Sequence, residues 1–454
     1  MSFVSYQFRI YPSASQCQSL IDHFGCTRWV FNRYLSEADD CYKRTGKSLL
    51  CNDFIVRLVN LKKQYPWLKE VNSQSLQMAA RNADRAFANF FEKRAKRPHF
   101  KSKHSGRQSF QCPQHCKVLF PVMGTKGQIV LPKIGPIKAV LHRRFSGTVK
   151  TVTVVREATG KYYASVLVDD AQPAVAADTV DFERTAGIDA GIKTAFTVVS
   201  QSGTEKIDNP AFLKKHSEQL KKQQKRLARC QRSVSVKETE KGEKIKEVTV
   251  SKRYEKVRKE LARTHEKIRH CRKNWINQVT HRLVNDSQVT SYVIEDLNLR
   301  GMVKNHRLAR AVSDVGIGNF YRTLKYKLEA VGKNLIVAGR WYPSSKRCPE
   351  CGAKKESLTL KERSWSCAQC GHKHDRDEAA AKNLRDWVKL SDEDKHRYGR
   401  NGRALKKEAI PFLKSSPEDS PVGAGSSARG LSLNGSSGSR EAPAFKPDVV
   451  QCNG

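Results

Sequence analysis

Two cysteine pairs, CPEC at 348–351 and CAQC at 367–370, stand fifteen residues apart. No other feature restricts the fold as strongly. Each C-x2-C turn brings two sulfurs together, and Gly352 and Gly371 permit the tight turns behind them. Two such knuckles complete a tetrahedral thiolate site, so Cys348, Cys351, Cys367 and Cys370 predict a structural zinc ribbon. A redox dithiol accounts for one C-x-x-C but not for two at this separation. All four positions come from protein, which makes the site closed rather than catalytic. A looser set, Cys112-x3-Cys116 with His104 and His115 nearby, has no second pair and reads as ordinary thiols.

The charge balance constrains the partners. Among 454 residues, 84 Lys and Arg oppose 45 Asp and Glu, a formal charge of +39. Such an excess predicts a polyanion as partner. An anionic membrane surface is the competing reading, but there is no run of 18 apolar residues and no signal-like apolar segment near residue 1. The expectation is a soluble, cytoplasmic protein with no membrane partner. Thirteen cysteines, four of them at metal spacing, favour reduced thiols over a disulfide framework. The length implies several domains.

Along the chain, 3–10 alternates as a strand up to Pro12. From 15 to 96 the pattern turns helical, through Leu20, Phe24, Val30, Phe31 and Leu35, then Leu76, Ala80, Ala83, Phe87 and Phe90. A basic break at 98–110 leads to strand signals between 118 and 168, with the turn EATGKY at 157–162. A small β-barrel that takes 3–10 as its first strand is expected. From 185 to 200 two strands flank a Gly-containing turn. Two long basic helices are read at 211–232 and 252–285, the second with an apolar stripe from Tyr254 to Leu283, and a charged excursion lies between them at 233–250. A buried strand at 291–298 ends in acids. A helix through Phe320, Leu324, Leu328 and Val331 stops at Gly332, and 334–339 is the next strand. The Ser/Gly/Pro-rich end reads as a disordered tail.

Three acids hold special positions. Asp189 lies at a strand end beside Gly191, and Glu295 ends the apolar run at 292–294. Asp377 opens a helix on the face shared with Ala381, Leu384 and Val388, whereas Asp375 suits the N-cap. Singly, each acid fits a turn, a surface charge or a favourable helix dipole. Together, in a basic chain, they suit a carboxylate cluster for two Mg²⁺ ions that hydrolyse phosphodiesters. Strand, strand, long connection, strand and helix is also the order of an RNase H-like fold.

These residues carry a family resemblance over about 5–390. The segments YQFRIYPSASQ, RWVFNRYL, NFFEKRAKRPHFKSK and LPKIGPIKAVLHR, and more specifically GIDAGIKTAFT, VIEDLNLRGM, WYPSSKRCPECG and HDRDEAAAKNL, are similar to segments of TnpB (OrfB), in the same order. TnpB proteins are transposon-encoded RNA-guided nucleases related to type V CRISPR effectors. The resemblance implies an α/β multidomain protein. A wedge β-barrel covers 1–12 and 105–180, with a helical recognition insertion at 13–104. A RuvC/RNase H-like nuclease covers 181–347 and 372–395, interrupted by a zinc ribbon at 348–371, and a disordered tail covers 396–454. It implies catalytic, magnesium-binding roles for Asp189, Glu295 and Asp377. It further implies a noncoding guide RNA from the transposon end, cleavage of double-stranded target DNA beside a short motif, handling of the displaced single strand, and a place near the bacterial or archaeal nucleoid. Lys and Arg around 93–107, 214–232 and 252–273 are the candidate phosphate contacts. A guide-dependent DNA-binding regulator without cleavage and an accessory transposition protein are the alternatives.

Overall fold

The structure, a computed structural model, describes residues 3–170, 175–230, 232–238, 244–359 and 362–398. The chain divides into two units, one within 1–173 and the other within 174–419.

The first unit opens with β1 (Phe3–Tyr11), whose inward positions Phe8 and Ile10 are buried. Helix α1 (Ala14–Thr45) begins in a capping box. The Ser13 hydroxyl accepts from the Gln16 amide at 3.3 Å, and the Gln16 side chain accepts from the Ser13 amide at 3.0 Å. It runs 32 residues and stops at Gly46, which takes the left-handed conformation that ends helices. Helices α2 (Cys51–Gln64) and α3 (Ser73–Phe91) bury Phe54, Leu58, Leu76, Ala80 and Ala83 against Tyr34 and Leu35 of α1. Phe87 and Phe90 are only half-buried. Six strands follow: β2 (Gln108–Cys112), β3 (Lys117–Leu119), β4 (Lys126–Leu131), β5 (Gly135–Val140), β6 (Thr148–Arg156) and β7 (Tyr162–Asp169). They form one antiparallel sheet with β1, in the order β2-β6-β7-β1-β5-β4-β3. The β6–β7 turn is the one read at 157–162; Gly160 takes φ +82° there.

The second unit carries the acids and the cysteines. Strands β8 (Thr185–Ala190), β9 (Thr194–Ser200) and β10 (Gly203–Asp208) form a meander. Next come α4 (Phe212–Lys215), α5 (Ser217–Ala228), the antiparallel pair β11 (Arg232–Glu238) and β12 (Lys244–Val250), and α6 (Lys252–Val284). Then β13 (Ser291–Glu295), α7 (Leu299–Lys304), α8 (Ala309–Val315), α9 (Ile317–Ala330) and β14 (Asn334–Ala338) complete the body of the unit. The sheet order is β10-β9-β8-β13-β14, and β8, β13 and β14 are parallel. Alternation splits its faces. Ala186, Ile188, Tyr292 and Ile294 pack with Ile276, Val279, Val315, Phe320 and Leu324. Val293 faces the other way, onto Leu384 and Trp387. The last elements are β15 (Ser364–Ser366), β16 (Lys373–Asp375), α10 (Arg376–Asp386) and α11 (Asp392–Arg397).

Four expectations need correction. The basic helix at 211–232 is broken at His216 into α4 and α5, because Asp314 accepts from the Leu213 and Lys214 amides at 2.8 and 3.0 Å and pins a separate first turn. Val331 lies past the end of α9 and is exposed, since Gly332 already turns with φ +76°. The face read through Val388 leaves α10 at Asp386 and continues in a 3-10 turn at Trp387–Lys389. The tail expectation begins too early: 396–398 finish α11 and set Tyr398 against Tyr342 and Trp387, at ring distances of 5.3 and 6.3 Å. The rest of that expectation, 399–454, lies outside the described residues. Strand β10, which is mostly polar, and the β11–β12 pairing, whose strands carry only two or three apolar residues each among charges, were not assigned from the sequence.

Candidate active site and metal centre

In the parallel pair β8–β13, Ile188 stands opposite Ile294. The next residue on each strand is an acid, Asp189 and Glu295. Alternation turns both carboxylates to the face of Gly187 and Val293, the face that α10 covers. Neighbouring strands run about 4.8 Å apart, so the two acids are neighbours at half-buried positions. Burial pushes the Asp189 carboxyl well above its ordinary range. The charges of Glu295 and Asp377 push it further, against the Arg376 cation and the Ala190 amide. Glu295 is also raised by burial, opposed by the Ser344 hydroxyl and by Arg376. A site that resists its own ionisation in this way suits a cation.

The third acid is delivered by a helix seated directly on the strand. A Cβ on Gly187 would lie 2.0 Å from the Ala381 carbonyl oxygen and 2.5 Å from the Arg385 amide nitrogen. Only glycine allows α10 to approach β8 this closely. Asp377 precedes Ala381 by one turn and Asp189 follows Gly187 by two residues, so this contact fixes how far apart the two acids stand. Asp375 caps α10, accepting from the Asp377 and Glu378 amides at 3.0 and 3.1 Å. Burial acts to raise Asp375, but its bonds to Lys206 and those amides outweigh it and hold the carboxyl below the ordinary range. Asp377 is half-buried, with Arg363 at 3.7 Å.

The four cysteines converge as their spacing predicts. Their sulfurs all lie within 4.8 Å of one another, with Cys348–Cys370 at 3.6 Å and Cys351–Cys367 at 3.5 Å. Zinc at about 2.3 Å from each sulfur gives a tetrahedral edge of about 3.8 Å, so the set fits the ion. Backbone amides of Cys370 and Gln369 bring the Cys367 thiol down to about 6, the thiolate that zinc takes. The His372 amide favours the Cys370 thiolate too, yet burial and the other three sulfurs push that thiol up to about 12. The group needs a cation to ionise fully. Among the described residues this is the one group of three or more His, Cys, Asp or Glu whose ligand atoms meet that 4.8 Å spacing. The three carboxylates do not, and neither do Cys112 and Cys116 with the nearby histidines.

Several supporting residues escaped the sequence reading. The Ser344 hydroxyl donates to Glu295. The amide of buried Asn383, on α10, donates to the Ser344 and Arg347 carbonyls, both at 2.7 Å. His374 Nε2 lies 3.2 Å from Cys348 Sγ, and its ring packs 4.9 Å from Trp365. Tyr321 is 5% exposed, its hydroxyl has no hydrogen-bond partner among the described residues, and the Glu295 and Asp189 charges add to the burial that raises it. Ser344 lies inside the recognisable segment WYPSSKRCPECG and Asn383 inside HDRDEAAAKNL; their partners, far off in sequence, gave no local signal.

The basic segments are largely surface. Lys93, Arg94, Lys96, Arg97, Lys101 and Lys103 are exposed. On α5 and α6, Lys221, Lys222, Lys225, Lys252, Arg253, Lys256, Lys259, Arg263 and Lys267, with Arg229 at the end of α5, are exposed around an apolar seam of Leu220, Leu261 and Ile268. No described helix is long and apolar enough to cross a membrane.

Family models match three stretches. "Cas12f1-like, TNB domain" covers 318–384, "Probable transposase" covers 165–306, and "Helix-turn-helix domain" covers 4–47. The last stretch is β1 followed by the single helix α1. A Streptomyces pristinaespiralis protein named "Putative RNA-guided DNA endonuclease" is 35% identical over 385 residues, 84% of this chain and 88% of that protein. The chain belongs to the TnpB family. An Escherichia coli member, "Putative RNA-guided DNA endonuclease InsQ", is 27% identical over 397 residues, 84% of this chain and 91% of its own. Among solved structures, a Cas12f1–sgRNA–target DNA complex aligns at 13% identity with a TM-score of 0.44, covering 85% of this chain and 98% of that one. Within this TnpB chain the TNB match spans α9, β14, the four cysteines and most of α10, which joins the ribbon and Asp377 in one matched segment.

Proposed function

We propose that this TnpB protein is an RNA-guided, Mg²⁺-dependent DNA endonuclease. In this reading the second unit is a RuvC-type nuclease with an inserted zinc ribbon, and the first is the wedge barrel with its helical recognition insertion. The observation that carries it is the alignment of Asp189 with Glu295 on parallel strands, beneath a helix that brings Asp377 from a glycine seat. The donor set is all carboxylate, as magnesium prefers. In this reading two ions would share the three acids. Bound magnesium would supply the nucleophilic hydroxide and neutralise charge on the leaving oxygen.

The chain's own residues prepare that chemistry. Ser344 fixes the rotamer of Glu295. Asp375 holds the first turn of α10 and so the aim of Asp377. Arg376 offsets part of the carboxylate charge. The relatives' names speak of RNA guidance, and the +39 charge with exposed cations on α5 and α6 suits a chain that holds RNA and a heteroduplex by their phosphates. Base pairing by an RNA from the transposon end would then choose the target, next to a short motif read by the protein.

The test is cleavage of matched and mismatched duplexes by the protein purified with its RNA. Cutting should need matched DNA and Mg²⁺, and Asp189→Asn should abolish it while target binding persists. Matched binding without any cutting would instead identify a guide-dependent regulator.

A further inference from the structure

Beside the acids lies a pocket of about 250 Å³ formed by Tyr342 to Lys346, Leu358 and Arg376. Two of its lining residues tie it to the site already described. Ser344 bonds Glu295, and Arg376 is the chain neighbour of Asp377, with a charge that reaches both Asp189 and Glu295. No acid lines the pocket. The Arg376 guanidinium donates to the Thr359 carbonyl at 3.1 Å and the Lys346 ammonium to the Glu356 carbonyl at 3.1 Å. Neither forms a direct ion pair with a carboxylate among the described residues; Arg376 acts on Asp189 and Glu295 only at longer range, so both cations can still meet a phosphate oxygen. Ser345 adds a hydroxyl that no described residue engages.

We propose that this pocket is a phosphate subsite of the nuclease, seating one phosphodiester of the nucleic-acid strand next to the linkage that is cut. The inference rests on the nuclease reading and adds a substrate contact to it. Two cations and a hydroxyl around an acid-free concavity match the charge and acceptor pattern of a phosphodiester. The pocket offers no exposed aromatic face on which a base could stack, since Tyr342 is buried between Trp387 and Tyr398. The ligand is therefore the backbone, not the base. The position also answers a local problem. Three acids repel an approaching polyanion, and cations immediately beside them hold the strand while the carboxylates keep their own cations.

The experiment uses the full chain purified with its RNA and a matched target duplex carrying a single methylphosphonate, scanned through the linkages on either side of the cut. A methylphosphonate removes one phosphate charge and leaves the strand otherwise intact. Wild type should lose about tenfold in cleavage at one linkage, as expected for one charge-assisted contact. Lys346→Gln and Arg376→Gln should each cut the normal duplex about tenfold more slowly and show no further loss at that same linkage. Their zinc content should match wild type, which reports that the ribbon and α10 remain in place. If both substitutions disrupt folding, the wild-type scan alone decides: a flat profile overturns the subsite. Equal methylphosphonate losses in wild type and variants also overturn it. An Asp189→Asn protein that cuts like wild type, or a wild type that never cuts, overturns the nuclease reading itself.

Discussion

Gly187→Ala is the sharpest probe of how this site is assembled. The added Cβ would start 2.0 Å from the Ala381 carbonyl oxygen, and real Cβ atoms essentially never come within 3.0 Å of a heavy atom, so something must move by at least 3.0 − 2.0, or about 1 Å. The obstacles are the backbone oxygen of Ala381 and the backbone nitrogen of Arg385, and no side chain can rotate away to relieve them. The helix itself must retreat, and it carries Asp377 with it. Overpacking of this kind costs about 1–3 kcal/mol, which the core of the second unit should survive. Catalysis should not survive as well: a displacement of about 1 Å can cost on the order of 100-fold in rate. Cleavage by the RNA-loaded variant should therefore fall at least that far, while RNA binding and zinc content stay near wild type. The longer side chain of Asp377→Glu, added to Gly187→Ala, should recover part of the loss. A Gly187→Ala protein that cuts at the wild-type rate would refute the idea that this contact sets the spacing of the acids.

Asp189→Asn, Glu295→Gln and Asp377→Asn should each abolish cutting with RNA and target binding retained, whereas Asp375→Ala should only slow it; a cleavage assay beside a gel-shift assay separates these outcomes. Metal-free protein should lose stability as pH rises from the ordinary carboxylate range. Asp189 and Glu295 are raised in the folded state, so the native state keeps protons that the unfolded chain has released. Denaturant titrations at about pH 4.5 and about pH 8 should show a smaller change for Asp189→Asn, which cannot ionise there. Elemental analysis should find about one zinc per chain, and Cys348→Ser should lower both zinc content and the melting temperature. RNA affinity should fall steeply with salt, with a log–log slope of roughly −0.7 to −0.9 per phosphate contact; a flat salt series would disprove phosphate-dominated binding.

What the sequence made legible, and what it hid, follows from the range of each signal. The cysteines could be read because each C-x2-C closes its own turn locally, and only the pairing of two knuckles is nonlocal. The Asp375 cap was equally local, a side chain bonding amides two and three residues on. The β8 and β13 strands announced themselves as apolar runs ending in acids. That Asp189 and Glu295 share a register could not be read, because a parallel pair is joined through a long connection and either strand could slip by two without changing its pattern. Gly187 was visible only as part of GIDAG; its contact lies across 194 residues of chain, at Ala381. Charged segments were hard to read. The helix expected over 211–232 is broken, and the excursion left without an assigned structure at 233–250 contains the paired strands β11 and β12, since polar surface residues constrain neither helix nor strand strongly.

The nearness of the cysteine cluster and Asp377 in one short stretch has a mechanical sense. Strand β16 runs from the ribbon straight into Asp375, the cap of α10, and His374, one residue before that cap, contacts the Cys348 sulfur. From the other end of the helix, Asn383 holds the carbonyls of Ser344 and Arg347, the latter directly before Cys348. Ser344 in turn holds Glu295. The first knuckle is thus bonded to both ends of α10 and, through Ser344, to the strand carrying the second acid. A bound zinc would make that knuckle rigid, since it would supply folding free energy to a loop with almost no core of its own beyond Trp365, Ala353 and Leu358. Losing zinc would then act on Asp377 and Glu295 together, through α10 and Ser344, and leave Asp189 on its strand. In the proposed nuclease the ribbon would supply no acid, yet it would decide whether Asp377 and Glu295 are held beside Asp189.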